Sequence, residues 1–169
     1  MATKAKLNII EGNQVGSLIA GNMYFFKYLA EPTNILFDRF PLIFVLRKRG
    51  LLLEGINFHY IPVEPVDWRT PLFEDMKRYF DSDEIADDTR LRVKLFRELI
   101  LKQRKFRFAK IALHRYKRNH IRSKIIMIPP TEWEKAILQP AERFVTGHLK
   151  KLQTRVIHKE SLIKGRKRT

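Results

Sequence analysis

The sequence predicts an α+β fold: a small, strongly bent, SH3-like β-barrel with short helices and a basic C-terminal extension. Three observations lead there. Short apolar and aromatic strands crowd the first sixty residues. Short helices follow, with one strand late in the chain. Gly55 interrupts the third strand, as a bulge or barrel corner requires. With 169 residues and 44% hydrophobic side chains, the chain can bury one core.

Residues 1–20 show no clear period and read as an arm docked on the domain. Met23 to Tyr28 follows the turn signal Gly21-Asn22 and reads as a strand. Phe40 to Leu46 is a second strand, more continuous in its apolar run and so more buried. Pro41 belongs at its first residues or at an edge, where a missing N–H does little harm. Arg47-Lys48-Arg49-Gly50 reads as a turn, and Leu52 to Tyr60 as the third strand. After Pro62-Val63-Glu64-Pro65, the spacing of Leu72, Phe73, Met76, Tyr79 and Phe80 predicts a helix over 71–80, with Thr70 as N-cap and Pro71 at N1. An acidic loop, Asp81 to Asp88, follows. Leu91, Val93 and Leu95 alternate with cations and favour a strand, although Leu91, Leu95 and Leu99 also fit a helix. Residues 97–120 read as helix in two pieces, and Ser123 to Ile128 as the last strand. Thr131 and Glu134 form a capping-box pattern, Trp133, Ala136 and Ile137 face the core, and Pro140 ends that helix. The units expected are an arm (1–20), one domain (21–148) and a basic tail (149–169).

The formal net charge is +16. It is divided unequally: residues 1–88 hold 10 basic and 13 acidic side chains, whereas 89–169 hold 24 and 5. Such a half is suited to a polyanion. The densest stretch runs from Lys110 to Lys124. On a helix, Arg115, Arg118 and Arg122 would share one face, with Lys117 and Lys124 beside them and Ile111, Ala112 and Tyr116 behind. Lys102, Arg104, Lys105 and Arg107 add to it upstream. In the tail, Lys150, Lys151, Arg155, Lys159, Lys164, Arg166, Lys167 and Arg168 form a second candidate set, read either as a solvated tail or as one that orders on a polyanion. Lysine and arginine at this density neutralise phosphates and release counterions.

Other chemistry is poorly supported. There is no cysteine, so disulfide and thiol chemistry are excluded. No run approaches the roughly 18 apolar residues of a membrane span, and residues 1–20 lack the apolar core of a secretory signal. No glycine-rich phosphate loop is present. His114, Asn119 and His120 match an HNH nuclease helix only superficially, and Glu132-Trp133-Glu134-Lys135 has the wrong spacing for a nuclease triad. The acidic loop (Asp81, Asp83, Glu84, Asp87, Asp88) lacks the spacing of a calcium loop and reads as solvated or as an intramolecular shield for the basic half. Asn57 and His59 read as a structural polar pair, since no nucleophile pattern accompanies them. No cofactor and no metal is expected.

Three stretches carry a resemblance. Gly21-Asn22-Met23-Tyr24-Phe25-Phe26-Lys27-Tyr28 is similar to the pattern G-K-M-Y-x-F-x-Y. Phe37-Asp38-Arg39-Phe40-Pro41-Leu42 with Gly55-Ile56-Asn57-Phe58-His59-Tyr60-Ile61-Pro62 is similar to Y-D-x-F-P-L … G-x-N-x-H-Y-L-P. His120-Ile121-Arg122-Ser123, Ile128-Pro129-Pro130-Thr131-Glu132-Trp133 and Pro140-Ala141-Glu142-Arg143-Phe144 are similar to H-V-R-S … P-x-E-W … P-x-E-R-F. Together they resemble a family of small proteins from large T-even-like tailed phages, over roughly residues 20–145. The resemblance implies a DNA end protector, associated with the virion and shielding packaged DNA ends from host exonuclease. It carries no catalytic residues. The sequence departs from the pattern at Asn22, at the short turn Arg47 to Leu51, and in its more basic tail.

The reading is a non-catalytic phage protein that binds double-stranded DNA, located in the virion and the host cytoplasm, with other virion proteins as partners and no membrane. The alternatives are a structural neck, tail or baseplate component and, behind it, a nuclease or resolvase. RNA binding stays open, because Tyr116, Phe106 and Phe108 beside the cations suit either polymer.

Overall fold

The computed structural model describes residues 12–30, 36–64, 66–80, 87–102, 109–145 and 154–167, with 101, 102 and 165–167 described through their backbone alone. In chain order, the described strands and helices are β1 (Asn13–Val15), β2 (Met23–Phe25), β3 (Phe37–Asp38), β4 (Leu42–Arg49), β5 (Leu52–Asn57), α1 (Arg69–Phe80), α2 (Thr89–Lys102), β6 (Leu113–Lys117), β7 (Ile125–Ile128), α3 (Trp133–Leu138), β8 (Phe144–Val145) and α4 (Thr154–Lys167). Single 3-10 turns occupy Phe58–Tyr60, Arg118–His120 and Pro130–Glu132.

Period-two alternation sorts the interior into two cores. Met23, Leu42, Phe44, Leu46 and Ile56 face the helices and pack with Leu72, Met76, Phe96, Leu99, Trp133 and Ile137. Tyr24, Phe26, Ile43, Val45, Leu53, Tyr116 and Ile125 fill the other face. Both faces of β4 are therefore covered, which explains its unbroken apolar run. The strands lie in the order β1-β7-β2-β4-β5-β6, and a separate pair joins β3 to β8. Every pairing among the described strands is antiparallel. The α+β class stands. The described strands form an open sheet, however: β1 and β6 are its edges and do not pair, so no closed SH3-like barrel forms among them. The expected irregularity at Gly55 lies across from it, where the register slips between Val45 and Arg47 of β4. A Cβ on Gly55 would stand 2.5 Å from the Phe44 carbonyl oxygen, so the two backbones approach too closely for any side chain.

Several expectations are corrected. The strand expected at 91–95 is helix α2, because Asp88 Oδ1 accepts the Arg90 and Leu91 N–H groups at 2.9 and 3.0 Å and caps it. Arg92, Phe96, Leu99 and Ile100 are buried at helical spacing. The helix expected over 97–120 holds for 97–102, and 103–108 lie outside the described residues, but 113–117 is strand β6, paired with β5 from Leu52–Lys117 to Ile56–Leu113. The third strand stops at Asn57, and 58–60 turns. Helix α1 starts at Arg69, and Asp67 rather than Thr70 caps it, accepting from the Arg69 and Thr70 N–H groups. The Thr131–Glu134 capping box does not form, since 130–132 is a 3-10 turn and no side chain caps α3. Trp133, Ala136 and Ile137 are buried as expected. In the arm, β1 pairs with β7. In the basic tail, α4 buries Ile157, His158 and Ser161. No described helix is long and apolar enough to cross a membrane.

Candidate nucleic-acid interface

Because β6 is a strand, its cations alternate with inward-facing rings. His114 and Tyr116 turn towards the protein, while Arg115 and Lys117 are exposed. The cross-strand register sets these two beside the β4–β5 hairpin. One row runs Arg47–Glu54–Arg115 and the next Arg49–Leu52–Lys117. Glu54 bonds both guanidinium groups, to Arg47 at 3.1 Å and to Arg115 at 3.2 Å. Burial would raise its carboxyl, but the hydrogen bonds and charges of Arg115 and Arg47 hold it below the usual carboxylate range. Lys110 joins the cluster, lining a depression of about 190 Å³ with Arg47, Glu54 and Arg97.

The shared helical face expected of Arg115, Arg118 and Arg122 does not exist, since they lie on a strand, a 3-10 turn and the segment after it. Arg118 donates to the Gly16 carbonyl at 3.2 Å and Arg122 to the Asn119 carbonyl at 3.2 Å. Lys124 is exposed just before β7. Arg155 and Lys164 project from α4, each 4.0 Å from a carboxylate, Glu64 and Glu160 respectively. Lys102, Arg166 and Lys167 are placed by backbone alone, and Arg104, Lys105, Arg107, Phe106, Phe108, Lys150, Lys151 and Arg168 lie outside the described residues. Sequence reasoning missed Arg47, Arg49 and Arg97. The Arg47-Lys48-Arg49 triplet was the available signal, and it was read as a turn, although β4 continues through it.

Beside β6 lies a cleft of about 280 Å³. Tyr60 stacks on His114 with centroids 4.0 Å apart, and Tyr28 meets Tyr116 edge-on at 5.1 Å. Exposed Arg115 and Lys117 and half-buried His120 also line the cleft. Beneath is a polar network that explains Asn57 and His59. The Asp38 carboxylate faces His59 Nδ1 at 2.5 Å and accepts from Asn57 Nδ2 at 3.1 Å. Asn57 Nδ2 also reaches the Tyr116 hydroxyl at 3.1 Å. The Phe40 and Arg143 N–H groups complete the carboxylate. Burial pushes the Asp38 carboxyl up, but the His59 charge and these hydrogen bonds outweigh it and leave it lowered. Burial drives the His114 imidazole down to about 4, so the ring is neutral.

A second buried hub was invisible in the sequence. Arg69 is 1% exposed and pairs with Glu142. It also donates to the carbonyls of Ile61, Ile137 and His59 at 2.8, 3.2 and 3.2 Å. Among the described residues, no group of three His, Asp or Glu side chains is placed to hold a metal ion. Asp81, Asp83 and Glu84 of the acidic loop lie outside the described residues.

The family model described as Phage T4 terminal DNA protecting protein matches residues 3–160. The chain belongs to this family. The match runs through both the slightly acidic first half and most of the basic second half, so the charge asymmetry falls within one family unit. No curated protein and no solved structure gives a significant match.

Proposed function

We propose that the protein binds double-stranded DNA without catalysis and shields the ends of packaged genomes from host exonuclease. The observation that carries this reading is the β6 edge, where the β-sheet register gathers Arg115 and Lys117 with Arg47 and Arg49, and Lys110 lines the depression beside them, in a member of a DNA-end-protecting family. Arg118, Arg122 and Lys124 extend the cationic track along the chain, and Arg104, Lys105 and Arg107 precede it in sequence. Arg155, Lys164 and the terminal Arg166, Lys167 and Arg168, with Lys102, Lys150 and Lys151, supply a second set of phosphate contacts. Residues 21–148 act as the binding unit, with 1–20 as an arm and 149–169 as a basic extension. The protein works in the virion and in the host cytoplasm after injection.

Phosphate contacts of this kind lose affinity steeply with salt. The test is an exonuclease-protection assay on linear duplex, paired with binding titrations across about 50–200 mM salt. Protection of linear DNA with salt-dependent affinity is expected. A salt-insensitive affinity would overturn the reading. A second reading, a structural part of the neck or tail, is favoured by an apolar groove of about 380 Å³ between α1 and α3, lined by Phe73, Met76, Phe80 and Trp133. It predicts that the protein stays in particles emptied of DNA.

A further inference from the structure

The cleft beside β6 has three properties that point to one ligand chemistry. Its size, about 280 Å³, lies at the lower edge of the roughly 300–1,000 Å³ of small-molecule sites, so it holds a single nucleotide unit rather than a longer segment. Its wall is aromatic: Tyr60 and His114 stack at an interplanar angle of 27°, and Tyr28 carries His120 on its face at 6.0 Å. Every base has a π-face, so such a wall accepts any of the four. The charge is ordered along the depth. Arg115 and Lys117 are exposed, whereas the Asp38 carboxylate is buried. A phosphate is attracted to the mouth and repelled from the floor.

His114 adds a hydrogen-bonding demand. Its ring donates to the Ile111 carbonyl, while Nε2 is buried and has no hydrogen-bond partner. A neutral imidazole with one N–H engaged carries a lone pair on the other nitrogen. That acceptor suits a ring or exocyclic N–H on the Watson–Crick edge, which every base carries, and a buried acceptor left unmatched is unfavourable.

We propose that this cleft takes the terminal nucleotide of a DNA strand, with the base against Tyr60 and His114 and its phosphate on Lys117 and Arg115. The proposal rests on the DNA-end reading above and supplies its selectivity. A base inside a duplex is paired and stacked on both faces, and must be extruded at a cost before it can enter a cleft. A terminal base has one stacking neighbour and leaves the helix most easily. Recognition of an end then needs no reading of sequence.

The experiment uses the full chain and duplexes carrying 5-iododeoxyuridine at the 5′-terminal or the 3′-terminal position, or at a central position as control. Irradiation followed by peptide mapping is expected to find crosslinks from the terminal base to Tyr28, Tyr60, His114 or Tyr116, and none of these from the central base. Lys117→Gln, an exposed change, should lower terminal crosslinking roughly fivefold and leave the thermal midpoint unchanged. Free deoxynucleoside monophosphate should compete only weakly. Protection of linear DNA without terminal crosslinks in the cleft overturns the inference and leaves the end-protecting role standing. Crosslinks lost to free monophosphate at equal concentration also overturn it, by assigning the cleft to a soluble nucleotide. Failure to bind or protect any duplex removes both readings.

Discussion

His158 of the C-terminal helix donates from Nε2 to the carbonyl of His59 at 2.9 Å, and its Nδ1 receives the Val63 N–H at 3.3 Å. Both ring nitrogens are thus occupied in the neutral form, which burial also favours by lowering the His158 imidazole. The helix is fastened to the 58–60 turn, and the next residue of that turn, Tyr60, lines the cleft. His158→Ala should cost about 1–3 kcal/mol, because it leaves a buried N–H and weakens a carbonyl's pairing. Denaturant unfolding would measure the loss, and hydrogen exchange would place it in residues 154–167. Unchanged exchange there would show that α4 is held by other contacts.

Arg69 and Glu142 neutralise one another in the interior. Arg69→Met should cost roughly 3–5 kcal/mol, since Glu142 is left buried and unpaired. Adding Glu142→Leu should recover part of that loss, as removing both charges is better tolerated than removing one. A double variant no more stable than the single one would refute the pairing as the source of the cost.

Acid should weaken the fold in two stages. The His114 imidazole is depressed to about 4 from its ordinary 6.5. Between those values the unfolded chain binds a proton that the native ring refuses, so stability falls as pH drops from about 6.5 towards 4, by no more than about 3 kcal/mol. His158, also lowered, acts in the same direction. The lowered Asp38 carboxyl adds its own loss only as pH falls below its ordinary 3.8. A plot of the unfolding midpoint against pH should therefore slope upwards from pH 4 to 6.5, and His114→Gln should flatten it. An unchanged slope in His114→Gln would assign the effect elsewhere.

Glu54 holds two of the cations assigned to DNA. Glu54→Gln should free Arg47 and Arg115 for phosphates, tighten duplex binding several-fold, and steepen the salt dependence by about two units of slope, one for each arginine. Arg115→Gln should do the reverse. Titrations at several salt concentrations check both, and weaker binding by Glu54→Gln would mean that Glu54 positions these arginines rather than competing for them.

The α+β class and the covered strand at 42–46 were legible because they depend on local alternation. The β6 strand was not. Its own alternation, His114 and Tyr116 inward and Arg115 and Lys117 outward, was present, but lysine and arginine are also good helix formers and dominated the window. At 91–95 three apolar residues imitated a strand, and the longer period through Phe96, Leu99 and Ile100 prevailed once Asp88 capped the helix. Asp38 and His59 stand 21 residues apart, and no spacing rule joins them. Arg69 and Glu142 come from α1 and the segment before β8, so only the tertiary fold reveals them as partners. Arg47 and Arg49 joined the cationic face through register, which is a property of paired strands rather than of a sequence window.

The β6 strand ends the described sheet with no further described strand on its outer side, where the Tyr28 hydroxyl accepts the Lys117 N–H at 3.2 Å. An unpaired strand is a template on which a second copy can lay its own backbone and begin an aggregate. Arg115 and Lys117 stand along that margin and repel an identical strand brought alongside. At high concentration, before any DNA is met, the same side chains would keep the molecules separate. Neutralising both would therefore turn a dispersed protein into one that clumps.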